Sequence, residues 1–108
     1  MEAAAKGAHS EGGITVGIMP QSDKGSMNPF VTIPVATGFG EGRNVIIART
    51  ADALIAIGGE YGTLSEIAFG LKMGKPVIGV HTWEVRGIIQ AKGAGDAVEK
   101  VFQVLDEL

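Results

Sequence analysis

A threonine, a carboxylate and a run of glycines lie close together in the middle of the chain, where an apolar segment gives way to a helical pattern. The glycine turn covers residues 58–62 and is followed by Thr63 and Glu66. We predict a helix that begins at Thr63, which would put both side chains on one face of its first turn. The N–H groups of a first turn have no intrahelical acceptor, and the helix dipole favours an anion there. The pattern therefore predicts a site for a phosphorylated ligand, with a carboxylate that could do chemistry beside it. The candidate ligand-binding residues here are Gly58, Gly59, Glu60, Tyr61, Gly62 and Thr63.

A second glycine turn, at residues 37–42, also lies between an extended segment and a possible helix, and Arg43 follows it. Its candidate ligand-binding residues are Thr37, Gly38 and Gly40. Because parallel strands end at the same edge of a sheet, we predict that the two turns converge on one ligand. A cation at a helix start is unfavourable unless it binds an anion, and the planar guanidinium suits phosphate or carboxylate. The alternative is a surface ion pair of Arg43 with Glu41 or Glu66.

Strand-like and helix-like segments alternate along the chain, which predicts an α/β fold with a mostly parallel sheet and right-handed crossovers. The predicted strands cover residues 14–19, 30–36, 52–57 and 76–80, and the predicted helices cover 1–10, 63–73 and 95–108. The first strand reads as buried on both faces. Pro34 restricts the second strand to an edge. The last helix has an apolar stripe made of Ala97, Val98, Val101, Phe102, Leu105 and Leu108. Residues 43–51 fit a strand by propensity alone, and residues 81–92 give no clear pattern.

Composition excludes several classes of protein. The 108 residues include no cysteine, which rules out disulfides and thiolate metal sites. The net charge of −3 offers no basic surface for nucleic acid or an anionic membrane. No apolar run approaches the roughly 20 residues of a membrane-spanning helix, and no metal-ligand spacing occurs. We expect a single cytoplasmic domain over residues 1–108, without a metal site.

The segment Gly58-Gly-Glu-Tyr-Gly-Thr-Leu-Ser-Glu66 resembles the Pro-Gly-Gly-x-Gly-Thr-x-x-Glu signature of the Lonely Guy (LOG) proteins. It is closer to the molybdenum-cofactor-carrier-like branch of that superfamily, whose motif often reads Gly-Gly-Glu-x-Gly-Thr. The resemblance continues through residues 37–44 and 74–79. It implies a Rossmann-like three-layer fold and a helix over residues 43–51. It also implies that Glu66 and Arg43 stand where LOG enzymes keep their catalytic glutamate and arginine. Glu60 replaces a glycine of the LOG pattern, which favours the carrier-like branch.

Relatives of this kind normally have a strand, a helix and a second strand ahead of the helix that matches residues 1–10. The resemblance therefore implies a sheet truncated at its N-terminus. A fragment, a minimal fold with different strand pairing and completion of the sheet by oligomerisation all remain open. Family members usually dimerise through helices, so we expect a homodimer or a higher homo-oligomer.

Three functions follow from these residues. In the first, the chain binds a nucleotide-like or pterin-phosphate ligand, such as the molybdenum cofactor, without turnover. In the second, it hydrolyses the N-glycosidic bond of a nucleoside 5′-monophosphate, and Glu66 stabilises oxocarbenium-like charge or activates water while Arg43 orients the substrate. In the third, it is a non-catalytic oligomerising module. Two further residues, His81 and Trp83, read as structural, although stacking of Trp83 on a base remains open.

Overall fold

The structure is a computed structural model that describes residues 1–25 and 27–107. Its elements are α1 (Glu2–Ser10), β1 (Val16–Met19), β2 (Ile33–Ala36), a 3-10 turn (Gly40–Gly42), α2 (Arg43–Thr50), β3 (Leu54–Ile57), α3 (Tyr61–Lys72), β4 (Val77–Val80), β5 (Ile89–Ala91) and α4 (Ala94–Asp106). The strand pairs β1–β2, β3–β4 and β4–β5 are all parallel. This confirms the predicted α/β class with parallel pairing. It also confirms that a helix follows each of the two glycine turns. The chain divides into two compact units, Met1–Arg43 and Asn44–Leu108.

The first unit holds α1 and a two-stranded sheet. Its register runs from Val16 opposite Ile33 to Met19 opposite Ala36. Met19 is buried, but Val16 is 55% exposed. The prediction that the first strand is buried on both faces is therefore wrong. The reason is that a sheet of two strands lacks the neighbours needed to cover both of its faces.

The second unit is a three-stranded sheet with α3 and most of α2 packed on one face and α4 on the other. Its central strand, β4, is buried at all four positions, as its continuous apolar sequence predicts. Successive residues of a strand point to opposite faces. Val77 accordingly packs in one apolar cluster with Ile67 of α3, and Ile78 packs in another with Ala97 of α4. The glycine turn before α3 thus follows the end of β3, which pairs with the fully buried central strand β4.

Three features of the second unit depart from the sequence pattern. β5 lies in the segment 81–92, for which no element was predicted. α3 begins at Tyr61, two residues before the predicted start. The apolar stripe of α4 is narrower than predicted, because Ala97 is fully buried but Val98 and Phe102 are exposed. Leu108, the last member of that stripe, lies outside the described residues. None of the helices in residues 1–25 and 27–107 is long and apolar enough to cross a bilayer.

Candidate functional site

Three backbone N–H groups at the N-terminus of α3 have no hydrogen-bond acceptor within the helix. Glu60 is the N-cap residue, in extended conformation, and its carbonyl accepts the N–H of Leu64 at 3.1 Å. The N–H groups of the three residues in between, Tyr61, Gly62 and Thr63, precede this bond and have no intrahelical acceptor. The Glu60 side chain makes no capping hydrogen bond to them. The end of the helix therefore presents N–H donors that an anion could accept.

The first glycine of the turn does not share this role. The Gly58 N–H donates to the carbonyl of Val80 at 3.4 Å, so it belongs to the pairing of the sheet. Gly58 has a φ of 89°, a left-handed conformation that glycine adopts without strain. The glycine here reverses the chain between β3 and α3, and the donors come from the residues that follow it.

The segment after β4 holds this turn in place from outside the helix. The Thr82 hydroxyl donates to the Gly58 carbonyl at 2.5 Å. The indole Nε1–H of Trp83 donates to the Glu60 carbonyl at 3.1 Å. His81, which lies just before Thr82, has a φ of 47° and is the one left-handed non-glycine among the described residues. Backbone of this kind is strained and persists where surrounding contacts hold it.

A buried amide side chain supports the same helix end. Asn44, in α2, is only 4% exposed. Its Nδ2 donates to the Ser65 hydroxyl at 2.9 Å, and that hydroxyl donates to the Gly62 carbonyl at 2.7 Å. A hydroxyl has one proton, so Ser65 must accept from Asn44, which sets the orientation of the amide. The Gly62 carbonyl and the Thr63 N–H belong to one peptide plane, so the chain of hydrogen bonds orients one of the three free donors.

The other end of the same amide has no partner. Asn44 Oδ1 is buried and accepts no hydrogen bond from the described part of the chain. A buried acceptor in this state is unfavourable by about 1–3 kcal/mol, and native proteins satisfy nearly all such groups. The oxygen marks a place where a bound ligand or an ordered water would donate a hydrogen bond. Sequence reasoning assigned no role to Asn44 or Ser65, although a polar residue inside an apolar helical pattern is the signal that could have found them.

Thr63 and Glu66 lie deeper in α3 than predicted. Because the helix begins at Tyr61, Thr63 is its third residue and Glu66 its sixth. The prediction that both lie in the first turn is wrong for Glu66, which belongs to the second turn. They remain three apart and so share a face of the helix. Both side chains are half-buried. The Glu60 carbonyl at the start of the helix also accepts the Trp83 indole N–H, a tertiary contact that local sequence does not reveal.

The other predicted turn, in the first unit, uses its donors internally. The Thr37 hydroxyl donates to the Met19 carbonyl at 2.6 Å and accepts the Phe39 N–H at 3.2 Å. The N–H groups of Gly38 and Gly40 donate to carbonyls of the preceding loop, each at 2.9 Å. These bonds give the turn a defined shape without help from a ligand. Its part in binding stays a prediction, as does its convergence with the turn before α3.

Arg43 is the last residue of the first unit and the first residue of α2. Its side chain is half-buried, and Nη1 donates to the carbonyl of Ile18 in β1 at 3.4 Å. This contact fastens the guanidinium to the strand on which the unit is built. The roles predicted for Arg43 and Glu66 in catalysis stay predictions.

The sequence and the fold of this chain are both similar to those of known proteins. The profile of the SLOG cluster4 family matches residues 1–106. The fold is similar to that of the molybdenum cofactor binding protein from the phototrophic bacterium Rippkaea orientalis, with a TM-score of 0.89 and 31% identity, covering 97% of this chain and 71% of that one. It is also similar to the Moco carrier protein from Chlamydomonas reinhardtii, with a TM-score of 0.85 and 32% identity, covering 100% of this chain and 72% of that one.

A curated relative is closer in sequence but is itself named an uncharacterized protein. It comes from Archaeoglobus fulgidus and is 56% identical over 77 residues, which are 71% of this chain and 50% of the relative. The chain thus spans about half the length of that relative. Together these similarities confirm the resemblance to the LOG and molybdenum-cofactor-carrier-like superfamily and its Rossmann-like α/β fold.

Proposed function

This chain belongs to the SLOG cluster4 family, and we propose that it binds a phosphorylated nucleotide-like or pterin-phosphate ligand, the molybdenum cofactor among them, without turnover. The observation that carries the proposal is the end of α3, where three N–H groups have no intrahelical acceptor. The Asn44 side chain braces this helix end through Ser65, and its buried Oδ1 has no partner among the described residues. A phosphorylated ligand has oxygens that accept from the N–H groups, and a hydroxyl or amine of the same ligand would donate to Asn44 Oδ1.

Phosphate fits the donors chemically. Its oxygens accept hydrogen bonds, and its charge is favoured at a helix N-terminus. The Thr63 hydroxyl is a further candidate donor. The carboxylate of Glu60 opposes an anion here, but the side chain is exposed, so solvent and salt screen the repulsion. In this proposal the end of α3 recognises the phosphate, and the molybdenum of a bound cofactor is held by the cofactor itself. The described residues hold no cluster of three or more histidine, cysteine or acidic side chains that could bind a metal ion.

The relatives support the carrier reading over the hydrolytic one. Two solved structures with more than 30% identity are named as a molybdenum cofactor binding protein and a Moco carrier protein. The cofactor that these proteins are named for contains a pterin and a phosphate, which is the ligand class proposed from the helix end.

The proposal is tested by following backbone amides in ¹⁵N–¹H NMR spectra during titration with AMP, inorganic phosphate and adenosine. We expect the signals of Gly62 and Thr63 to shift with AMP and with phosphate, and to stay in place with adenosine. Shifts that are absent, or that occur only elsewhere in the chain, would contradict binding at the end of α3.

Replacing Thr63 by glutamate separates binding from stability. A carboxylate in the first turn stabilises a helix by about 0.3–1 kcal/mol, but in Thr63→Glu it occupies the position proposed for the phosphate. Repulsion from Glu60 and Glu66, each three residues away, offsets this gain. We therefore expect a melting temperature close to that of the wild type and the loss of AMP and phosphate binding. The matched control is Gly95→Glu, which puts the same charge in the first turn of α4, where a new Cβ meets no atom within 4 Å. AMP binding that survives in Thr63→Glu would exclude this helix end as the site.

The same samples decide whether there is turnover. We expect the anomeric proton signal of AMP to persist on incubation with the protein. If it decays while free adenine appears, the chain is a phosphoribohydrolase, and Glu66→Gln should then abolish the reaction. Light scattering on these samples tests the predicted homo-oligomer, which a folded monomer would contradict.

A further inference from the structure

Two aromatic rings stand at the first residue of α3. Tyr61 is 81% exposed, and its ring stacks on that of Trp83, with centroids 5.6 Å apart and planes at 30°. We propose that this pair is a stacking platform for the planar heterocycle of the phosphorylated ligand. The proposal rests on the proposed function and deepens it, because it commits the site to ligands that carry an aromatic ring near the phosphate.

Trp83 gives the platform a rigid base. Its ring packs against the apolar cluster that contains Ile67 and Val77, and its Nε1–H is already paired with the Glu60 carbonyl at 3.1 Å. The indole therefore needs no further polar partner and is fixed in orientation. Tyr61 lies against it with much of its own surface open to solvent. An ordered, exposed aromatic surface of this kind loses little side-chain entropy when a ring stacks on it.

The platform is placed where a ligand bound by its phosphate would bring a ring. In a helix, side chains lean toward the N-terminus, so the Tyr61 ring stands beside the first-turn donors. The rise along the axis from residue 61 to residue 63 is only about 3 Å. A nucleotide or pterin phosphate has its ring a few bonds from the phosphate. Stacking accepts any planar heterocycle, since every such ring has a π-face.

The surroundings distinguish Tyr61 from an ordinary exposed aromatic residue. Phe102 in α4 is 61% exposed but has no stacked ring among the described residues, and it lies away from the first turn of its helix. Single exposed apolar side chains of that sort are normal in folded proteins. Phe102 is therefore the matched control for an aromatic residue that is exposed without being part of a site.

The experiment uses the intrinsic fluorescence of Trp83, the single tryptophan of the chain. AMP and ribose 5-phosphate are titrated into the wild type and into the variants Tyr61→Ala, Tyr61→Phe and Phe102→Ala. We expect AMP to bind the wild type about tenfold more tightly than ribose 5-phosphate, which is the effect of one stacked base. We expect Tyr61→Ala to remove this difference, Tyr61→Phe to keep it and Phe102→Ala to leave it unchanged.

Each other outcome is decisive. Equal affinity of the wild type for both compounds, or an equal loss for both in Tyr61→Ala, overturns the platform while leaving phosphate binding intact. Binding of neither compound overturns the proposed function and the platform with it. Circular dichroism checks that Tyr61→Ala is folded. Tyr61→Leu, which keeps an apolar side chain against Trp83 without an aromatic face, provides the same test if it is not.

Discussion

Replacing Asn44 by leucine should leave the protein as stable as the wild type or make it more stable, although the residue is 4% exposed and hydrogen-bonded. Leucine branches at the same carbon as asparagine, with two somewhat larger methyl groups in place of the amide oxygen and nitrogen, and it carries no polar atom. The substitution removes the buried Oδ1, which has no partner within the described residues. It also removes the bond from Nδ2 to Ser65, whose hydroxyl keeps its own bond to the Gly62 carbonyl.

The magnitude follows from these two terms. Relief of a buried unpaired acceptor is worth about 1–3 kcal/mol, and the lost hydrogen bond about 0.5–1.5 kcal/mol. The midpoints of these ranges differ by about 1 kcal/mol, so we expect the free energy of unfolding of Asn44→Leu to be about 1 kcal/mol higher than that of the wild type, within about −0.5 to 2.5 kcal/mol. Ser65→Ala should act in the opposite direction. It leaves both ends of the buried amide without a partner, and we expect a loss of about 1–3 kcal/mol.

Urea denaturation followed by circular dichroism measures both variants, with the slope of the transition as a check that the unfolded state is unchanged. AMP titration should show weaker binding by Asn44→Leu, since the proposed ligand loses an acceptor. Higher stability with lower affinity is the pattern expected where a protein keeps an unfavourable group for function.

A different result refutes the reasoning. If Asn44→Leu is destabilised by more than about 1 kcal/mol, the oxygen has a partner in solution, and its value as a pointer to a ligand is lost. If AMP affinity is unchanged while stability rises, Asn44 braces the helix end without taking part in binding.

Three other substitutions test the packing that supports the site. Gly70→Ala would put a methyl group 2.9 Å from Val77. Overpacking costs about 1–3 kcal/mol and the gain in helix propensity is about 1 kcal/mol. We therefore expect the free energy of unfolding, measured by urea denaturation, to fall by up to about 2 kcal/mol. Lys75→Met removes an ammonium group that donates to two carbonyls at the C-terminus of α2, and we expect a melting temperature lower than that of Lys75→Arg. The hydrogen bond from Lys100 and a backbone N–H lower the pKa of Asp96 from its usual 3.8. This contribution is present above that value and is lost as pH falls through the lowered pKa, so Asp96→Asn should be less stable than wild type at pH 7 and equal to it in strong acid. A stability difference that does not depend on pH would contradict this account of Asp96.

Much of the fold could be predicted because it depends on local pattern. The continuous apolar run of β4 and the glycine and proline that separate it from α3 predicted a buried strand after a helix. The glycine turn at residues 58–62 predicted a helix N-terminus at the end of a strand, which the structure bears out within two residues. In these segments, chain neighbours decide the conformation, since hydrophobic period and turn chemistry act over a few residues.

The chain's own sequence thus determined that a glycine turn leads into a helix whose first N–H groups are free, and that the fold is α/β with parallel strands. Only the tertiary structure decided which donors stay free and what surrounds them. The Gly58 N–H is taken by a carbonyl of β4, and the Asn44 side chain reaches Ser65 across a separation of 21 residues. Trp83 reaches Glu60 across 23 residues. Contacts at such separations leave no periodic signal in the sequence, because they depend on how strands and helices pack and not on the residues between them.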